Sequence, residues 1–263
     1  MAEKNNTAAA IEQDGFREAV CIHTSKVFDS CKDKDCIEDL RVYPLRCSQA
    51  IIDSAFSIRP RSAKLLFADV RVEDISFNRG CYTVDVTYFY KVTGEAFPGE
   101  QIVTGLAIFD KRVILYGSEG SSKVFTSKNR RYSEKAHGNL PTAVVEAVDP
   151  LVLSMKIVDC SVSDELDFES REIPSEISAC FNDQIITSRV GKQLYVTLGQ
   201  FSIIRLERST QLLIPMYDYC IPCKECAGGG EEDPCTLFNH IPFPISDFYP
   251  PKESPDRCTS GIC

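Results

Sequence analysis

The strongest pattern in the chain is a two-residue alternation in the segment CYTVDVTYFYKVT (81–93). One set of alternate positions is apolar or aromatic, and the other carries mainly threonine, aspartate and lysine, as in a strand with one buried face. The sequence therefore predicts a half-buried β-strand whose buried face holds Tyr82, Val84, Val86, Tyr88 and Tyr90.

Further strands are predicted on both sides of this segment. The apolar run KLLFADVRV (64–72) is followed by a turn at 78–80. QIVTGLAIFDKRVILYGSEG (101–120) is predicted to be a hairpin that turns at Asp110-Lys111. KQLYVTLGQFSIIRLERSTQLLIP (192–215) is rich in β-branched and apolar residues and predicts two more strands.

Helical signals are few. Ser48 can cap a short helix over QAIIDSAF, and Pro141 can open another over TAVVEAV. The acidic stretch 161–178 is weakly patterned and predicts a long loop. Together these patterns predict a mainly β fold, with antiparallel sheets in a sandwich-like arrangement and a few short helices.

The two ends of the chain differ from the middle. Residues 1–15 are predicted to be flexible, and 16–215 to form the β-rich core, with 16–135 and 136–215 as two subdomains in an alternative division. Residues 216–263 are rich in proline and cysteine and contain AGGG and EEDP, so they predict an irregular arm and no regular sheet or helix.

Composition restricts the class of protein. The chain has 263 residues, 43% of them apolar, and a formal net charge of −9. A chain of this length can bury a large core, which excludes disorder throughout, and the acidic balance argues against a nucleic-acid binder. Residues 1–20 lack the apolar segment of a signal peptide, and no 18-residue apolar run predicts membrane insertion.

The cysteine content is unusual for a chain without an export signal. There are 13 cysteines, and an odd number leaves at least one free or bonded to another chain. Such thiols can bind metal, be redox-active, or be oxidised after a reducing compartment is opened. Four lie within 21–47 and three in the long middle, and the other six crowd the tail: Cys220, Cys223, Cys226, Cys235, Cys258 and Cys263.

The tail contains the sharpest local motif. Cys220, Cys223 and Cys226 are three apart, and Pro234-Cys235 follows. Thiolates at this spacing can converge on one zinc ion, although no second CxxC supports the site. The fourth cysteine lies too far along for the iron–sulfur spacing. Disulfide bonding by a flexible arm is the favoured interpretation, and a zinc or thiol-redox module of Cys220, Cys223, Cys226 and Cys235 is the alternative.

Two other patterns are weaker. In DSCKDKDC (29–36), Asp29, Asp33 and Asp35 all lie at alternate positions, four and then two residues apart. The glycine and glutamate of a calcium loop are missing, so solvated charge is favoured. His23, His137 and His240 lie in three separate regions and form no recognisable catalytic or metal-binding motif. We therefore expect no enzyme and no cofactor, zinc excepted in the alternative.

Several segments resemble a family of cysteine-rich clostridial proteins, similar to the self-assembling protein of the spore exosporium. They are FREAVCIHTSKVFDSCKDKDCIEDLRVY, FNRGCYTVDVTYFYKVT, FDKRVILYGSEG, VVEAVDPLVLSMKIVD and YVTLGQFSIIRLERSTQLLIPMYDYCIP. The resemblance covers roughly 16–250. It implies a structural, disulfide-cross-linked array at the spore surface, assembled from the mother-cell cytoplasm out of copies of this chain and other spore-layer proteins.

The distribution of cysteines agrees with that implication. The core is poor in cysteine and can fold alone, and the cysteine-rich ends can bond to neighbouring subunits. An intermolecular disulfide makes a weak repeated contact effectively permanent. Cys47 and Cys81 are expected to be ordinary buried thiols. The candidates for intermolecular or structural disulfides are Cys21, Cys31, Cys36, Cys220, Cys223, Cys226, Cys235, Cys258 and Cys263.

The zinc alternative makes its own prediction. Protein purified under reducing conditions would carry about one zinc ion per chain, held by four thiolates of the tail. Metal analysis by mass spectrometry measures this ratio. Metal-free protein would exclude the alternative.

Overall fold

The computed structural model describes residues 21–120, 140–159, 172–188, 191–213, 238–239 and 241–248. Within them lie seven strands and three helices. The strands are β1 (Cys21–Pro44), β2 (Ser57–Asp74), β3 (Cys81–Phe97), β4 (Gln101–Tyr116), β5 (Thr142–Ala147), β6 (Leu151–Asp159) and β7 (Lys192–Leu213). The helices are α1 (Arg46–Ser54), α2 (Ser175–Ser178) and α3 (Ile245–Phe248). Residues 1–15 and most of the arm at 216–263 lie outside the described ranges.

All seven strands belong to one antiparallel sheet with the order β2-β3-β4-β1-β7-β5. β6 pairs with β7 as well, further along the same edge as β5. The predicted mainly β, antiparallel fold is confirmed. Strands from 16–135 and from 136–215 share this sheet, because β1 pairs with β7 along most of its length.

The sheet curls until its first and last strands face each other. β2 contacts β5 and β6 without a backbone ladder between them. The backbone N–H of Leu65 in β2 donates to the Asp149 carboxylate, 2.8 Å away, in the short segment between β5 and β6. The two layers expected of a sandwich are thus two halves of one continuous sheet.

The main hydrophobic core fills the concave side of the curl. The alternation in β3 is confirmed, because Tyr82, Val84, Val86, Tyr88 and Tyr90 are all buried there. The opposing strand β7 contributes Leu194, Val196 and Leu198 from the other half of the sheet. Burial of these side chains supplies the main driving force for the curl.

A second, smaller core lies on the outer face of β3 and β4. Phe89, Leu106 and Ile108 point outward and are covered by Ile177 of α2 and by Phe181. The segment 172–188 is therefore packed against the sheet, and the part of the predicted loop at 175–178 is a short helix.

The last described residues pack on the outer face of β7. Phe238 is fully buried, and its ring lies 4.6 Å from the ring of Phe201, centroid to centroid. A Cβ on Gly199 would lie 2.6 Å from the Phe238 ring, so this close approach requires glycine. Lys34 of β1 donates to the carbonyl of Ile241 at 2.8 Å.

Several predicted elements are wrong in type or extent. Asp110-Lys111 is no turn, since β4 runs unbroken from Gln101 to Tyr116. Asp110 faces outward and accepts a hydrogen bond from Thr87, while Lys111 faces inward to an ion pair, so both polar groups are satisfied in mid-strand. Residues 192–213 form one strand of 22 residues, with Gly199 in mid-strand to admit Phe238.

The two predicted helices also need correction. Residues 142–147 form the strand β5, because the β-branched Val144 and Val145 extend the edge of β7. Helix α1 begins at Arg46 with Leu45 as its N-cap residue. Ser48 lies inside the helix and is buried, and its hydroxyl accepts the backbone N–H of Thr104 at 3.0 Å.

The predicted turn at 78–80 joins β2 to β3, and its Gly80 has φ +80°, a conformation that favours glycine. Among the described residues, no helix has the length and apolar character needed to cross a membrane.

Replacing Phe238 tests whether the C-terminal residues contribute to the core. Phe238→Ala would leave a cavity over Gly199 and lower the free energy of unfolding by about 3–5 kcal/mol. Urea denaturation followed by circular dichroism measures the change. The control is Phe77→Ala, since Phe77 is 93% exposed and should change stability by less than about 0.5 kcal/mol. Equal effects of the two substitutions would contradict the packing.

Candidate surface thiols and a buried charged cluster

The described cysteines fall into two groups. Cys21, Cys47 and Cys180 are exposed free thiols, and Cys81, at the start of β3, is a free thiol of intermediate exposure. Cys31 and Cys36 are disulfide-bonded, and Cys31 is buried in the main core. The chain therefore presents free thiols on its surface and holds Cys31 and Cys36 in disulfide bonds.

Cys31 and Cys36 cannot be bonded to each other. They lie five residues apart on the extended strand β1, opposite Ile204 and Gly199 of β7. Five residues of strand span about 16 Å, and a disulfide needs Cα atoms closer than about 7 Å. The other described cysteines, Cys21, Cys47, Cys81 and Cys180, are free thiols, so none of them is bonded to Cys31 or Cys36.

Cys47 and Cys180 lie on the same side of the molecule. The backbone N–H of Cys47, in the first turn of α1, donates to the Asp183 carboxylate at 2.9 Å. This bond, with a second one from the Gln184 N–H, holds the pKa of Asp183 below its ordinary value. Cys180 lies three residues before Asp183, just after α2, and its thiol donates to the Glu176 carbonyl.

The expectation that Cys47 is a buried thiol is wrong. Asp183 accepts hydrogen bonds from both the backbone N–H and the side chain of Cys47, and the residue is nevertheless exposed at the surface. Sequence alone did not indicate this, since the contact joins residues 136 positions apart. Cys47 and Cys180 join Cys21 as surface thiols.

The remaining candidates are outside the described residues. These are the four cysteines of the zinc alternative and the two at the end of the tail, namely Cys220, Cys223, Cys226, Cys235, Cys258 and Cys263, together with His137 and His240. Within the described ranges, no group of three or more metal-ligating side chains comes together.

A cluster of charged side chains lies inside the curl of the sheet. Lys111 of β4 pairs with Asp33 and Asp35 of β1, and its ammonium nitrogen is 2.6 Å from both carboxylate oxygens of Asp35. The side chains of Asp33, Lys111 and Asp35 are only 2%, 11% and 15% exposed. The interpretation of Asp33 and Asp35 as solvated charge is therefore wrong.

Burial dominates the electrostatics of this cluster. Desolvation raises the pKa of Asp35 to about 6 and lowers the pKa of Lys111 to about 8. Both changes favour the neutral form of the group, as expected in a medium that solvates charge poorly. The neighbouring Tyr88 has a pKa raised to about 12, first by burial and then by the Asp35 carboxylate.

A signal for this cluster was present in the sequence. Asp33 and Asp35 alternate in phase with Cys31, and Lys111 alternates in phase with Val113 and Leu115. The two-residue alternation of buried positions, when continued through these charged residues, places all three on buried faces. The charges themselves argued against burial, because unpaired charges are almost never buried.

The cluster spans an open part of the sheet. β1 and β4 are neighbours, but their backbone ladder covers only Val42 to Pro44 on β1. Beyond it the strands are joined by side chains, by Lys111 with its two aspartates and by Asp29, which accepts the backbone N–H of Tyr116 at 3.1 Å. The ion pairs therefore take the place of missing ladder bonds.

The chain is 25% identical over 252 residues to Exosporium protein A of Clostridium sporogenes (strain ATCC 15579). The matched region covers 90% of this chain and 75% of that protein. No family model matches the chain. No solved structure shows a significant match.

The raised pKa of Asp35 predicts a pH-dependent stability. The folded state binds this proton more tightly than the unfolded state, whose ordinary pKa is 3.8, so stability is lost as pH rises from about 4 to about 6. Asp35→Asn removes this titration. The loss in the free energy of unfolding between about pH 4 and pH 7 should therefore be smaller in this variant by roughly 2–3 kcal/mol.

Urea midpoints between pH 4 and pH 7 measure this effect. Asp39→Asn is the matched control, because Asp39 lies on the same strand but is 57% exposed in its pair with Lys156. An unchanged profile in the Asp35 variant, or an equal change in the control, would contradict the assignment.

Proposed function

We propose that this chain is a structural protein of the bacterial spore surface, in the exosporium or coat layer. The observation that carries the proposal is the similarity to Exosporium protein A over 90% of the chain. In the finer form of the proposal, the chain self-assembles with copies of itself, and with other spore-layer proteins, into an ordered array cross-linked by disulfides. It has no catalytic role.

The positions of the surface thiols support cross-linking in more than one direction. Cys21 opens β1, and Cys47 lies three residues beyond its other end. A strand of 24 residues spans up to about 80 Å, so these thiols lie at well-separated ends of the molecule. Bonds at opposite ends extend a row of subunits, and contacts of a further type join rows into a sheet.

Exposed apolar side chains at both ends of the β2–β4 hairpins support non-covalent contacts between copies. Phe56, Phe97 and Ile102 are exposed at one end, where the Phe56 N–H donates to the Phe97 carbonyl. Phe77 and Ile114 are exposed at the other end. Apolar patches on a protein surface are typical of interaction sites, and two ends of similar chemistry suit repeated contacts between identical subunits.

The proposal also accounts for cysteine use. Assembly inside the mother cell keeps thiols reduced while subunits pack. Lysis of that cell then exposes the layer to oxidant, which converts neighbouring thiols into disulfides. Free thiols on the surface of a folded core are what such a sequence of events requires.

Electron microscopy tests the proposal. Recombinant full-length protein is imaged by negative stain with and without reductant, and the same samples are run on a non-reducing gel. We expect ordered sheets, rings or fibres together with multimers that disappear on reduction. A monodisperse monomer under both conditions would overturn self-assembly.

Serine substitutions test which thiols form the cross-links. Cys21→Ser and the double variant Cys47→Ser/Cys180→Ser should each reduce the reductant-sensitive multimers, because each removes the exposed thiols from one side of the molecule. Cys81→Ser is the matched control, since this free thiol is less exposed. Full multimer ladders in both test variants would exclude these thiols as cross-linking residues.

A further inference from the structure

Lys111 and Asp33 are arranged as an amine and an acid held in contact inside the protein. They lie on the neighbouring strands β4 and β1, in the part of the sheet where no backbone ladder joins these strands. Their side chains are 11% and 2% exposed. Asp35, two residues along β1, places both carboxylate oxygens 2.6 Å from the same Lys111 nitrogen.

We propose that Lys111 and Asp33 form an intramolecular amide (isopeptide) bond that links β1 to β4 covalently, with Asp35 as the residue that transfers protons during its formation. This inference concerns a covalent modification of the fold and does not depend on the proposed function. The bond would fix the two strands together where hydrogen bonds between their backbones are missing.

The reaction is a condensation that needs no external reactant. The Lys111 ammonium gives one proton to the Asp33 carboxylate, and the resulting neutral amine attacks the Asp33 carbonyl carbon Cγ. Asp35 accepts a proton from the attacking nitrogen and returns it to the departing hydroxyl of Asp33. The Cγ–O bond breaks, the Nζ–Cγ bond forms, and one water molecule leaves.

The buried surroundings favour each requirement of this reaction. Contact between the two groups replaces a bimolecular encounter with an intramolecular one, which raises effective concentration by many orders of magnitude. Low polarity stabilises the neutral amine and the neutral acid, and the directions of the pKa changes at Lys111 and Asp35 agree with this. At a pKa of about 6, Asp35 can both accept and donate a proton near neutral pH.

Neighbouring groups define the environment of the bond. Tyr88 and Tyr90 are fully buried beside Asp35, and the negative charge of Asp35 raises the pKa of both phenols in addition to burial. No hydrogen-bond partner for the Tyr90 hydroxyl lies among the described residues. After condensation, the new amide N–H would donate to Asp35, whose charge would no longer face an ammonium group.

The same chain supplies an internal control. Lys156 and Asp39 form a pair with a nitrogen–oxygen distance of 2.7 Å, but both side chains are more than half exposed. Water solvates their charged forms, so the neutral amine and acid are not favoured. We expect no amide at this pair.

Intact-mass spectrometry of the full-length, fully reduced protein tests the proposal directly. We expect the sequence mass minus one water molecule, and proteolysis should yield one branched peptide that contains both Lys111 and Asp33. A protein at the full sequence mass would overturn the proposal. A mass deficit without the branched peptide, or with a peptide that joins Lys156 to Asp39, would overturn the assignment of residues.

Three variants assign the roles, each checked for folding by circular dichroism. Lys111→Arg should restore the full sequence mass. Asp33→Asn should still condense, but with loss of ammonia in place of water, which the mass difference distinguishes. Asp35→Asn should greatly reduce the bonded fraction. A water deficit that persists in Lys111→Arg would overturn the bond, and an undiminished deficit in Asp35→Asn would overturn the role of Asp35.

Discussion

The pairing of β1 with β7 is the interaction on which the rest of the structure depends. It joins a strand that begins at residue 21 to one that ends at residue 213, and it runs almost the whole length of both. Through it, β2, β3 and β4 on one side and β5 and β6 on the other become a single curled sheet. Contacts so distant in sequence are slow to form, so completion of this ladder is expected late in folding.

That pairing also places the chemical groups of interest. Asp33 and Asp35 lie opposite Ser202 and Gln200 of β7, which holds their carboxylates toward the concave core and toward Lys111. On the other face of the same ladder, Lys34 and Gly199 form the surface on which Phe238 packs. One register thus positions both the buried ion pairs and the C-terminal aromatic residues.

The sequence predicted the features that depend on local periodicity. The buried face of β3 and the turn at 78–80 follow from alternation and turn chemistry, and both are confirmed. Features that depend on distant partners were missed. Asp110-Lys111 has the composition of a turn, and its place in mid-strand is explained only by Thr87 and by the aspartates of β1. The exposure of Cys47 was missed as well, since local sequence does not show which segments pack beside α1.

The facing edges of the curled sheet have a consequence for how subunits can associate. An open edge strand is a template on which another chain can add strand after strand, without a defined end or orientation. Here β2 and β5–β6 lie against each other, and the Asp149 carboxylate accepts a hydrogen bond from the backbone N–H of Leu65. Growth by strand addition is thereby disfavoured. Subunits can then associate only through the exposed apolar patches and the surface thiols. Because these groups have fixed positions, they favour a regular spacing of subunits over amyloid-like growth.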